Sequence, residues 1–348
     1  MKTSAIICEF NPLHTGHKKL LDFARSISDN VVCVMSGNFT ERGMPACCNK
    51  YKRAAHAIKA GADMVLELPT VYSTAAAANF ALGGVKIAQL IHANYLVFGS
   101  ECGDIAQLQS VAELLQDEQV NAKIKQAMSE GLAYPKAVAL AAGCDLLDKP
   151  NNTLAVEYIN AIKSTGSQIV PVTIAREDNF HGQAGEFASS TLLRNAPKSR
   201  DKFTFDYVSK DIDDTIESKY CDYATRFLST AAKSYLESIA EVTEGLHNRI
   251  FNADKTHGFE KMMEEIKTKR YTRAKLQRIV LNCVLGITKD METASKTATP
   301  KIKVLAVKSG QEHLLSGIDN ESDDLTLKAD RLYSTFDGET PPTKLIKI

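Results

Sequence analysis

The strongest constraint on the fold is an alternation of short β-rich runs with helix-forming stretches through roughly the first 200 residues. Strands are predicted at residues 4–10, 31–36, 64–68, 95–99 and 168–174. Helices are predicted at residues 18–28, 51–60 and 75–91, where helix-forming residues recur at helical spacing. Because parallel strands need long crossover connections, this rhythm predicts an α/β fold with a doubly wound, Rossmann-like parallel sheet.

The character of the sequence changes after the fifth predicted strand. Long amphipathic stretches follow at residues 225–244 and 259–285. These patterns predict two domains, residues 1–200 and a smaller, mostly α-helical domain of residues 201–348. A last β-like run at residues 302–307 indicates that the tail packs back on the protein, and whether it forms a separate subdomain is left open.

Composition excludes several classes of protein. Lys plus Arg equals Asp plus Glu at 42 each, so no overall charge draws the chain to DNA or an anionic membrane, and RNA would need a local basic patch. The eight cysteines include no CxxC pair, which argues against zinc or a redox couple and is typical of a reducing cytoplasm. The apolar run at residues 1–9 is too short to span a membrane and has no small-residue cleavage site. We therefore expect a cytoplasmic protein without a membrane or DNA partner.

The strongest functional signal is a proline-containing turn that joins the first strand to the first helix, with the sequence Glu9-Phe10-Asn11-Pro12-Leu13-His14-Thr15-Gly16-His17. Ligands of open α/β sheets bind beyond the carboxyl ends of the strands, and a helix N-terminus attracts phosphate. His14 and His17 lie three residues apart, so both imidazoles can face one phosphate, and Gly16 lets a nucleotide approach the backbone. The alternative is a pair of surface histidines at a helix start, but the position at a strand end favours a phosphate site.

A second element, Ser189-Ser190-Thr191-Leu192-Leu193-Arg194, follows the last predicted strand. Its Ser-Ser-Thr is typical of a helix N-cap. The hydroxyls, free N–H groups and Arg194 would contact the β and γ phosphates from the side opposite the histidines. Alone this is a weak signal, because many helices begin with serine, but paired with the histidine turn it becomes specific.

Together, the HxGH turn at residues 14–17 and the SSTxxR element resemble the nucleotidyltransferase superfamily that includes pantetheine-phosphate and nicotinamide-mononucleotide adenylyltransferases. Further strings resemble one family within it, the bacterial tRNA(Met) cytidine acetate ligases; they lie at residues 9–17, 35–43, 61–69, 98–101 and 150–152. The resemblance implies an HxGH nucleotidyltransferase fold and a ligase that forms acetyl-adenylate from ATP and acetate. It also implies transfer of the acetyl group to the wobble cytidine of elongator tRNA(Met), giving N4-acetylcytidine. The residues by themselves indicate only ATP-dependent adenylyl chemistry.

The resemblance implies a set of ATP contacts as well. They are Ile7, Cys8, Glu9, Phe10, Asn11, Pro12, Leu13, His14, Thr15, Gly16, His17, Gly99, Asn152, Arg176, Ser189, Ser190 and Thr191. Three of these have an open alternative: Gly99 as a turn glycine, Asn152 as a helix cap, and Arg176 as a solvated arginine paired with Glu177 or Asp178.

Other residues are weaker candidates for the site. The loop at residues 36–44 is expected to face acetate or the target base. His181 lies close enough in sequence to join the site, but we favour the interpretation that His181 is not part of the site. Magnesium is expected to arrive with ATP, held by phosphate and water. No metal site of the protein's own is predicted, because Asp63 and Glu67 lack a metal-spaced partner.

The clearest basic stretch, residues 267–278, holds six cations and no acidic residue. Such a run is typical of phosphate binding, so we expect it to contact the tRNA backbone, with Tyr271 as a candidate for base stacking. The alternative is a solvated helix face. The predicted tRNA-binding residues are Lys267, Lys269, Arg270, Arg273, Lys275 and Arg278.

The predicted catalytic residues are His14, His17 and Lys18, which would stabilise the leaving pyrophosphate while acetate attacks the α-phosphate. Two other functions compete. A small-molecule adenylyltransferase would not need the basic stretch, and a non-catalytic, ATP-switched RNA-binding factor would release no pyrophosphate in response to acetate. The oligomeric state, the anticodon-reading residues and the acid specificity are left open.

Overall fold

The computed structural model describes residues 1–132, 134–176, 189–243, 245–268, 270–340 and 345–348. Within these ranges, seven strands form one sheet: β1 (Thr3–Cys8), β2 (Asn30–Ser36), β3 (Met64–Leu68), β4 (Tyr95–Ser100), β5 (Val170–Ala175), β6 (Lys303–Val307) and β7 (Ile346–Lys347). Their order in space is β5-β4-β1-β2-β3-β6-β7. Strands β1 to β5 run parallel, whereas β6 pairs antiparallel with β3 and β7 pairs parallel with β6. The predicted α/β fold with a parallel sheet is confirmed.

The sheet grows outward from β1 in both directions. The chain passes from β1 to β2 and β3 on one side, and then to β4 and β5 on the other. The topological switch point therefore lies between β1 and β4, where open α/β sheets bind their ligands. The predicted first strand extended to residue 10, but it ends at Cys8 because Phe10 adopts the left-handed region with a φ of 46°.

Helices connect and cover these strands. Those in the described ranges are α1 (Thr15–Ile27), α2 (Lys50–Lys59), α3 (Thr70–Ser73), α4 (Ala77–Leu90), α5 (Ile105–Leu114), α6 (Glu118–Ser129), α7 (Tyr134–Ala142), α8 (Pro150–Ser164), α9 (Ser190–Asn195), α10 (Arg200–Phe203), α11 (Asp206–Ser209), α12 (Ile216–Thr230), α13 (Lys233–Ser238), α14 (Leu246–Asn252), α15 (Gly258–Ile266), α16 (Arg273–Leu285), α17 (Lys289–Ser295) and α18 (Asp324–Asp337). Short 3-10 helices lie at Leu146–Asp148, Pro197–Ser199 and Glu312–Leu315.

The two long helical stretches predicted beyond residue 200 are each interrupted. The stretch at 225–244 divides because α12 ends at Thr230 and Ala231 is extended. The stretch at 259–285 divides because the side chain of Thr272 accepts the backbone N–H of Lys275 and so starts α16 as a new helix. Hydrophobic periodicity continued across both interruptions, so it could not reveal them.

The apolar core has three main parts. Helices α4, α5 and α8 cover one face of the sheet, and α1 and α2 cover the other. A separate cluster is formed by α12 to α16 and α18, and Phe39 from the loop after β2 is buried in it between Tyr220 and Tyr333. The loop after β2 therefore anchors the sheet to the helical cluster.

The tail of the chain returns to the sheet. Strand β6 pairs with β3, and β7 pairs with β6. The expectation that the β-like run at 302–307 packs back on the protein is therefore confirmed. These strands fall within residues 201–348, so this part of the chain contributes to the sheet as well as to the helical cluster. The domain division near residue 200 stays a prediction.

A buried ion cluster joins α2, β3 and α18. The Nζ atom of Lys50, whose side chain is 0% exposed, lies 2.7 Å from both carboxylate oxygens of Glu67 and 2.6 Å from Oδ2 of Asp330. Asn38 donates to the other oxygen of Asp330 at 3.0 Å. Burial raises the pKa of Glu67 to about 7, although Lys50 opposes this shift. Burial lowers the pKa of Lys50, but Glu67 and Asp330 outweigh it and the net shift is upward.

We expect Lys50→Ala to lower the free energy of unfolding by about 3–5 kcal/mol, because it leaves two buried carboxylates without their cation. Lys52→Ala is the matched control, since Lys52 lies in the same helical turn and forms a half-exposed ion pair with Glu339, for which a loss of about 0–1 kcal/mol is expected. Urea unfolding followed by circular dichroism measures both. Equal losses would contradict a stabilising role for the buried cluster.

Candidate active site

The turn between β1 and α1 is held by side chains from other parts of the chain. After Phe10 the backbone continues through a cis Asn11–Pro12 peptide bond. Two arginines donate to carbonyls of the turn: Nη1 of Arg53 to that of Glu9 at 2.6 Å, and Nη1 of Arg194 to that of Asn11. Two hydroxyls do the same: Oγ of Ser190 donates to the carbonyl of Pro12 at 3.1 Å, and Oγ1 of Thr204 donates to that of Leu13 at 2.5 Å. Since every donor lies outside the turn, its conformation depends on tertiary structure.

His14 caps α1 instead of lying within it. Its backbone is extended, its Nδ1 accepts the N–H of Gly16 at 3.1 Å, and its own N–H donates to Nδ1 of His17 at 3.3 Å. This is a reciprocal capping box with histidines in both positions. The two rings stack with centroids 3.7 Å apart. The prediction that both rings share one face is therefore confirmed, although His14 lies one residue before the helix.

The capping bonds determine where each imidazole carries its hydrogen. Because Nδ1 of both rings accepts a backbone N–H, the neutral rings carry hydrogen on Nε2. Burial, followed by the charges of His14 and Arg176, holds the pKa of His17 well below its usual value. His17 is therefore a neutral Nε2–H donor near pH 7. His14 is only 1% exposed, which excludes the alternative of two surface histidines.

Gly16 is needed by the protein itself. A Cβ at this position would lie 3.0 Å from Cε1 and 3.1 Å from Nδ1 of His14. These contacts are tight, so the capping ring would have to shift by a few tenths of an ångström to admit a side chain here. The approach of a nucleotide, which the sequence suggested as the reason for this glycine, is thus not its only reason.

Helix α9 packs directly on the turn, so the two sequence motifs meet in space. Ser189 is its N-cap and accepts a backbone N–H of the first turn at 3.2 Å, as predicted. Ser190 and Arg194 donate to carbonyls of the Asn11–Pro12 turn, and Arg194 also donates to Oγ1 of Thr191 at 3.3 Å. The hydroxyls at the start of α9 therefore lie next to the start of α1.

Arg176 crosses the end of β4. A Cβ on Gly99 would lie 2.9 Å from Cγ of Arg176, so the glycine leaves room for the arginine side chain. Nη1 of Arg176 donates to Oδ1 of Asn151 at 3.3 Å, and its charge lowers the pKa of His17. Arg176 therefore lies at the same sheet edge as the histidines. Residues 177–188, which include Glu177, Asp178 and His181, lie outside the described ranges.

Glu101 fixes the first turn of α8. Its two oxygens accept the backbone N–H groups of Asn151 and Asn152 at 3.2 and 2.7 Å. The side chain of Asn152 is buried, accepts from the N–H of Cys102 at 3.1 Å, and donates to the carbonyl of Leu146 at 3.0 Å. The cap of α8 is thus made by Glu101 and not by the side chain of Asn152. A contact between Asn152 and ATP stays a prediction.

The other residues predicted around the first motif differ in exposure. Ile7 and Cys8 are buried side chains of β1, so a ligand would meet them through their backbone. Lys18 follows His17 in the first turn of α1 and forms a surface ion pair with Asp22. Its side chain is 40% exposed, which leaves it accessible to an anion at this end of the helix.

Arg53 is the main residue of this region that the sequence did not single out. It is 0% exposed and donates to four carbonyls: those of Glu9, Ser36, Gly37 and Cys48. A buried arginine inside an otherwise amphipathic helix is a weak signal. Only the fold brings the ends of β1 and β2 within its reach.

The basic stretch divides into surface and interior residues. Lys267, Arg270 and Arg273 are exposed and Lys275 is half-buried, and Arg273 pairs with Glu260 at 2.6 and 2.7 Å. Arg278 is instead 7% exposed and donates to Glu241 at 2.8 and 3.0 Å and to Glu41 at 3.1 Å. We therefore leave Arg278 out of the predicted tRNA surface, because its guanidinium is committed inside the protein. Lys269 lies outside the described ranges.

The described ranges offer neither a candidate metal centre nor a candidate membrane span. They contain no group of three or more His, Cys, Asp or Glu residues that could hold a metal ion. No helix in them is long and apolar enough to cross a membrane. The expectation that the protein has no metal site of its own stays a prediction.

A parallel sheet with a histidine-capped helix at its switch point defines a nucleotidyltransferase type of site. In agreement, residues 1–334 match the family model described as HIGH Nucleotidyl Transferase. The tRNA(Met) cytidine acetate ligase of Acetivibrio thermocellus is 33% identical, over 92% of this chain and 86% of that protein. The protein of the same name from Caldicellulosiruptor saccharolyticus is 36% identical, over 91% and 85%. The crystal structure of Thermotoga maritima TmcAL bound with alpha-thio ATP superposes with a TM-score of 0.86 at 28% identity, covering 97% of this chain and 95% of that one.

The chain belongs to the tRNA(Met) cytidine acetate ligase family of HIGH nucleotidyl transferases, and it is an enzyme of the ligase class. The family, the fold and the enzyme class predicted from the sequence are confirmed.

Substitutions of His14 can separate its role as the helix cap from the other roles of its ring. We expect His14→Ala to lower the free energy of unfolding by about 0.5–2 kcal/mol through loss of the cap, and more through the cavity it leaves. His14→Asn retains a cap acceptor and should be the more stable of the two variants. Urea unfolding measures the difference, with His92→Asn as control, because His92 is exposed at the opposite sheet edge with a φ of 53° that Asn tolerates. Equal stability of both His14 variants would contradict the capping role.

Proposed function

We propose that the chain activates acetate with ATP as acetyl-adenylate and transfers the acetyl group to the wobble cytidine of elongator tRNA(Met), forming N4-acetylcytidine. The observation that carries the proposal is the stacked pair of His14 and His17 at the start of α1, whose Nδ1 atoms accept backbone N–H groups and leave Nε2 for a ligand, with the pKa of His17 held well below its usual value by burial. The names of the relatives support the acceptor and the acid, and the relative bound with alpha-thio ATP supports the nucleotide.

The proposed ATP site spans the switch point of the sheet. Its phosphates lie between the start of α1 and the hydroxyls of Ser189, Ser190 and Thr191, because both helix starts offer backbone N–H groups. Arg176 reaches the same edge from the end of β5, over Gly99. Magnesium enters as part of the ATP substrate, held by phosphate and water.

The first half-reaction needs charge stabilisation more than a protein nucleophile. An acetate oxygen attacks the α-phosphorus in line, and the bond to pyrophosphate breaks. The two imidazoles donate to the oxygens on which charge grows, without changing their own protonation, and Lys18 contributes a positive charge at the helix start. Loss of one such donor costs about 10²–10³ in rate.

We expect wild-type protein to transfer labelled acetate to unmodified elongator tRNA(Met) only when ATP and magnesium are present. His14→Asn, which keeps the helix cap, should reduce the transfer at least about 10²-fold, because it lacks the Nε2–H donor. His92→Asn should transfer as wild type does. Acid-precipitable label per tRNA measures the reaction.

The same proteins distinguish the competing functions. Acetate-dependent exchange of pyrophosphate into ATP, without tRNA, reports the first half-reaction alone. A small-molecule adenylyltransferase would exchange with phosphorylated metabolites and not with acetate, and an ATP-switched binding factor would not exchange at all. Either result would contradict the proposal.

We further propose that the exposed and half-buried cations before and within the first turn of α16 bind the tRNA backbone, within a mostly helical tRNA-binding part of the chain formed by residues 201–348. Lys267, Arg270 and Lys275 carry this role, and Arg273 takes part when its ion pair with Glu260 opens. The ring of Tyr271 lies under Nζ of Lys275 at 5.2 Å, which presents an aromatic face and a cation together, as RNA-binding surfaces do.

We expect the double variant Lys267→Ala/Arg270→Ala to weaken tRNA binding and to reduce the slope of log affinity against log salt by about 2, since each lost phosphate contact removes about one unit. The matched control is Lys123→Ala/Lys125→Ala, which removes two exposed cations from α6. Filter binding at several salt concentrations measures both. An unchanged slope in the first variant, or the same reduction in both, would contradict this surface.

We also propose that the protein works in the cytoplasm. All eight cysteines are free thiols, including the adjacent buried pair Cys47 and Cys48. A protein with eight cysteines and no disulfide among them is typical of a reducing compartment. The same compartment holds the tRNA substrate.

A further inference from the structure

We propose that Glu9 is the catalytic base of the transfer step, accepting a hydrogen bond and then a proton from the exocyclic amine of the target cytosine. This inference rests on the proposed function and extends it to the residue that acts on the acceptor. The role assigned to Glu9 so far is only that of one among many ATP contacts.

Glu9 is held firmly at the carboxyl end of β1. Its carbonyl accepts Nη1 of Arg53 at 2.6 Å, and its Oε1 accepts the backbone N–H of Glu41 at 2.7 Å. The described ranges contain no hydrogen bond to the other carboxylate oxygen, Oε2, and the residue is half-buried. One oxygen is therefore positioned by the protein, and the other can accept from a ligand.

The charge of Glu9 favours an amine as that ligand. Acetate and the phosphates of ATP are anions, so a carboxylate beside them cannot be their hydrogen-bond donor and repels them. The exocyclic amine of cytosine is a donor that carboxylates recognise, whereas uracil presents an acceptor oxygen at the same position. A carboxylate next to the reacting phosphate end of the site therefore suits the nucleophile and selects for cytosine.

The surroundings of Glu9 connect it to the proposed tRNA surface. Glu41, which donates to Glu9, accepts from Arg278 of α16 at 3.1 Å. The loop that carries Glu41 packs so closely on α16 that a Cβ on Gly43 would lie 2.3 Å from the backbone nitrogen of Arg278. The helix whose first turn carries the proposed tRNA contacts thus touches the loop that positions Glu9, so the target base enters the site from this loop.

Glu41 is the nearest alternative base, and its contacts argue against it. Burial raises the pKa of Glu41, with Arg278 opposing, and its carboxylate is committed to the guanidinium of Arg278. Glu241 holds the same guanidinium through two bonds of 2.8 and 3.0 Å. Glu41 is therefore a positioning residue, which acts on Glu9 through its backbone N–H.

The transfer step forms one bond and breaks one bond. The cytosine amine nitrogen attacks the carbonyl carbon of acetyl-adenylate, a carbon–nitrogen bond forms, and the bond from that carbon to the phosphate oxygen breaks. AMP leaves with the electron pair of that bond. One amine proton passes to Oε2 of Glu9 and from there to solvent, which regenerates the carboxylate.

The test compares the two half-reactions in Glu9→Gln, which keeps an oxygen for the Glu41 N–H but is not a base. We expect single-turnover transfer from preformed acetyl-adenylate to tRNA to fall at least about 10²-fold, as for loss of a general base, and acetate-dependent pyrophosphate exchange to fall by a clearly smaller factor, which reports the share of Glu9 in the ATP site. Glu41→Gln retains the backbone N–H and should reduce transfer less than about tenfold. A second variant, Glu9→Ala, should regain transfer when formate is added to the preformed adenylate, because a small carboxylate can replace the missing base.

Transfer by Glu9→Gln at the wild-type rate would overturn the proposal. So would an equal loss of exchange and transfer together with no rescue of Glu9→Ala, since that pattern describes a residue needed only for the ATP site. If wild-type protein shows no acetate-dependent exchange, the proposed function fails, which is a different result from a transfer defect confined to Glu9.

Discussion

One buried guanidinium holds the carboxyl ends of the two central strands together. Arg53 donates to the carbonyl of Glu9 after β1, to those of Ser36 and Gly37 after β2, and to that of Cys48 before α2. An isolated buried charge would be costly, and here carbonyl dipoles compensate it. A planar fork with five N–H groups can satisfy several carbonyls at once, which a lysine at this position could not do. The histidine turn and the loop after β2 both start from this point.

The two candidate donors of the site are imidazole groups whose orientation is fixed by the cap of α1. Each histidine uses Nδ1 to complete the first turn of α1 and keeps hydrogen on Nε2. Burial and the nearby Arg176 keep His17 neutral, so its donor persists across the physiological pH range. The helix cap uses Nδ1 of each ring and the proposed phosphate contact uses Nε2, and the ring of His14 is buried and packed against Gly16.

The loop after β2 joins the chemistry of the sheet to the helical cluster. Phe39 is buried among the aromatic rings of that cluster, Asn38 donates to Asp330 of α18, and Glu41 bridges Glu9 and Arg278. Lys50 adds a buried ion cluster between α2, β3 and α18. These contacts lie within a short segment, so the position of α16 and the turn after β1 are linked through the loop after β2.

Local pattern alone was sufficient for much of this protein. Alternating strands and helices determined a parallel sheet, and the spacing of His14 and His17 after a strand determined that two imidazoles meet at a helix start, because these depend on periodicity and on neighbours along the chain. The resemblance of short motifs predicted the family. What only the tertiary structure decided are contacts between distant residues: Arg53 beneath the turn, Glu41 between Glu9 and Arg278, and the burial of Arg278 within a stretch that looked uniformly exposed. The interruptions of the two long helices belong to the same class. A charge in a sequence shows no partner, and whether it faces solvent or a carboxylate is determined by which segments fold against it.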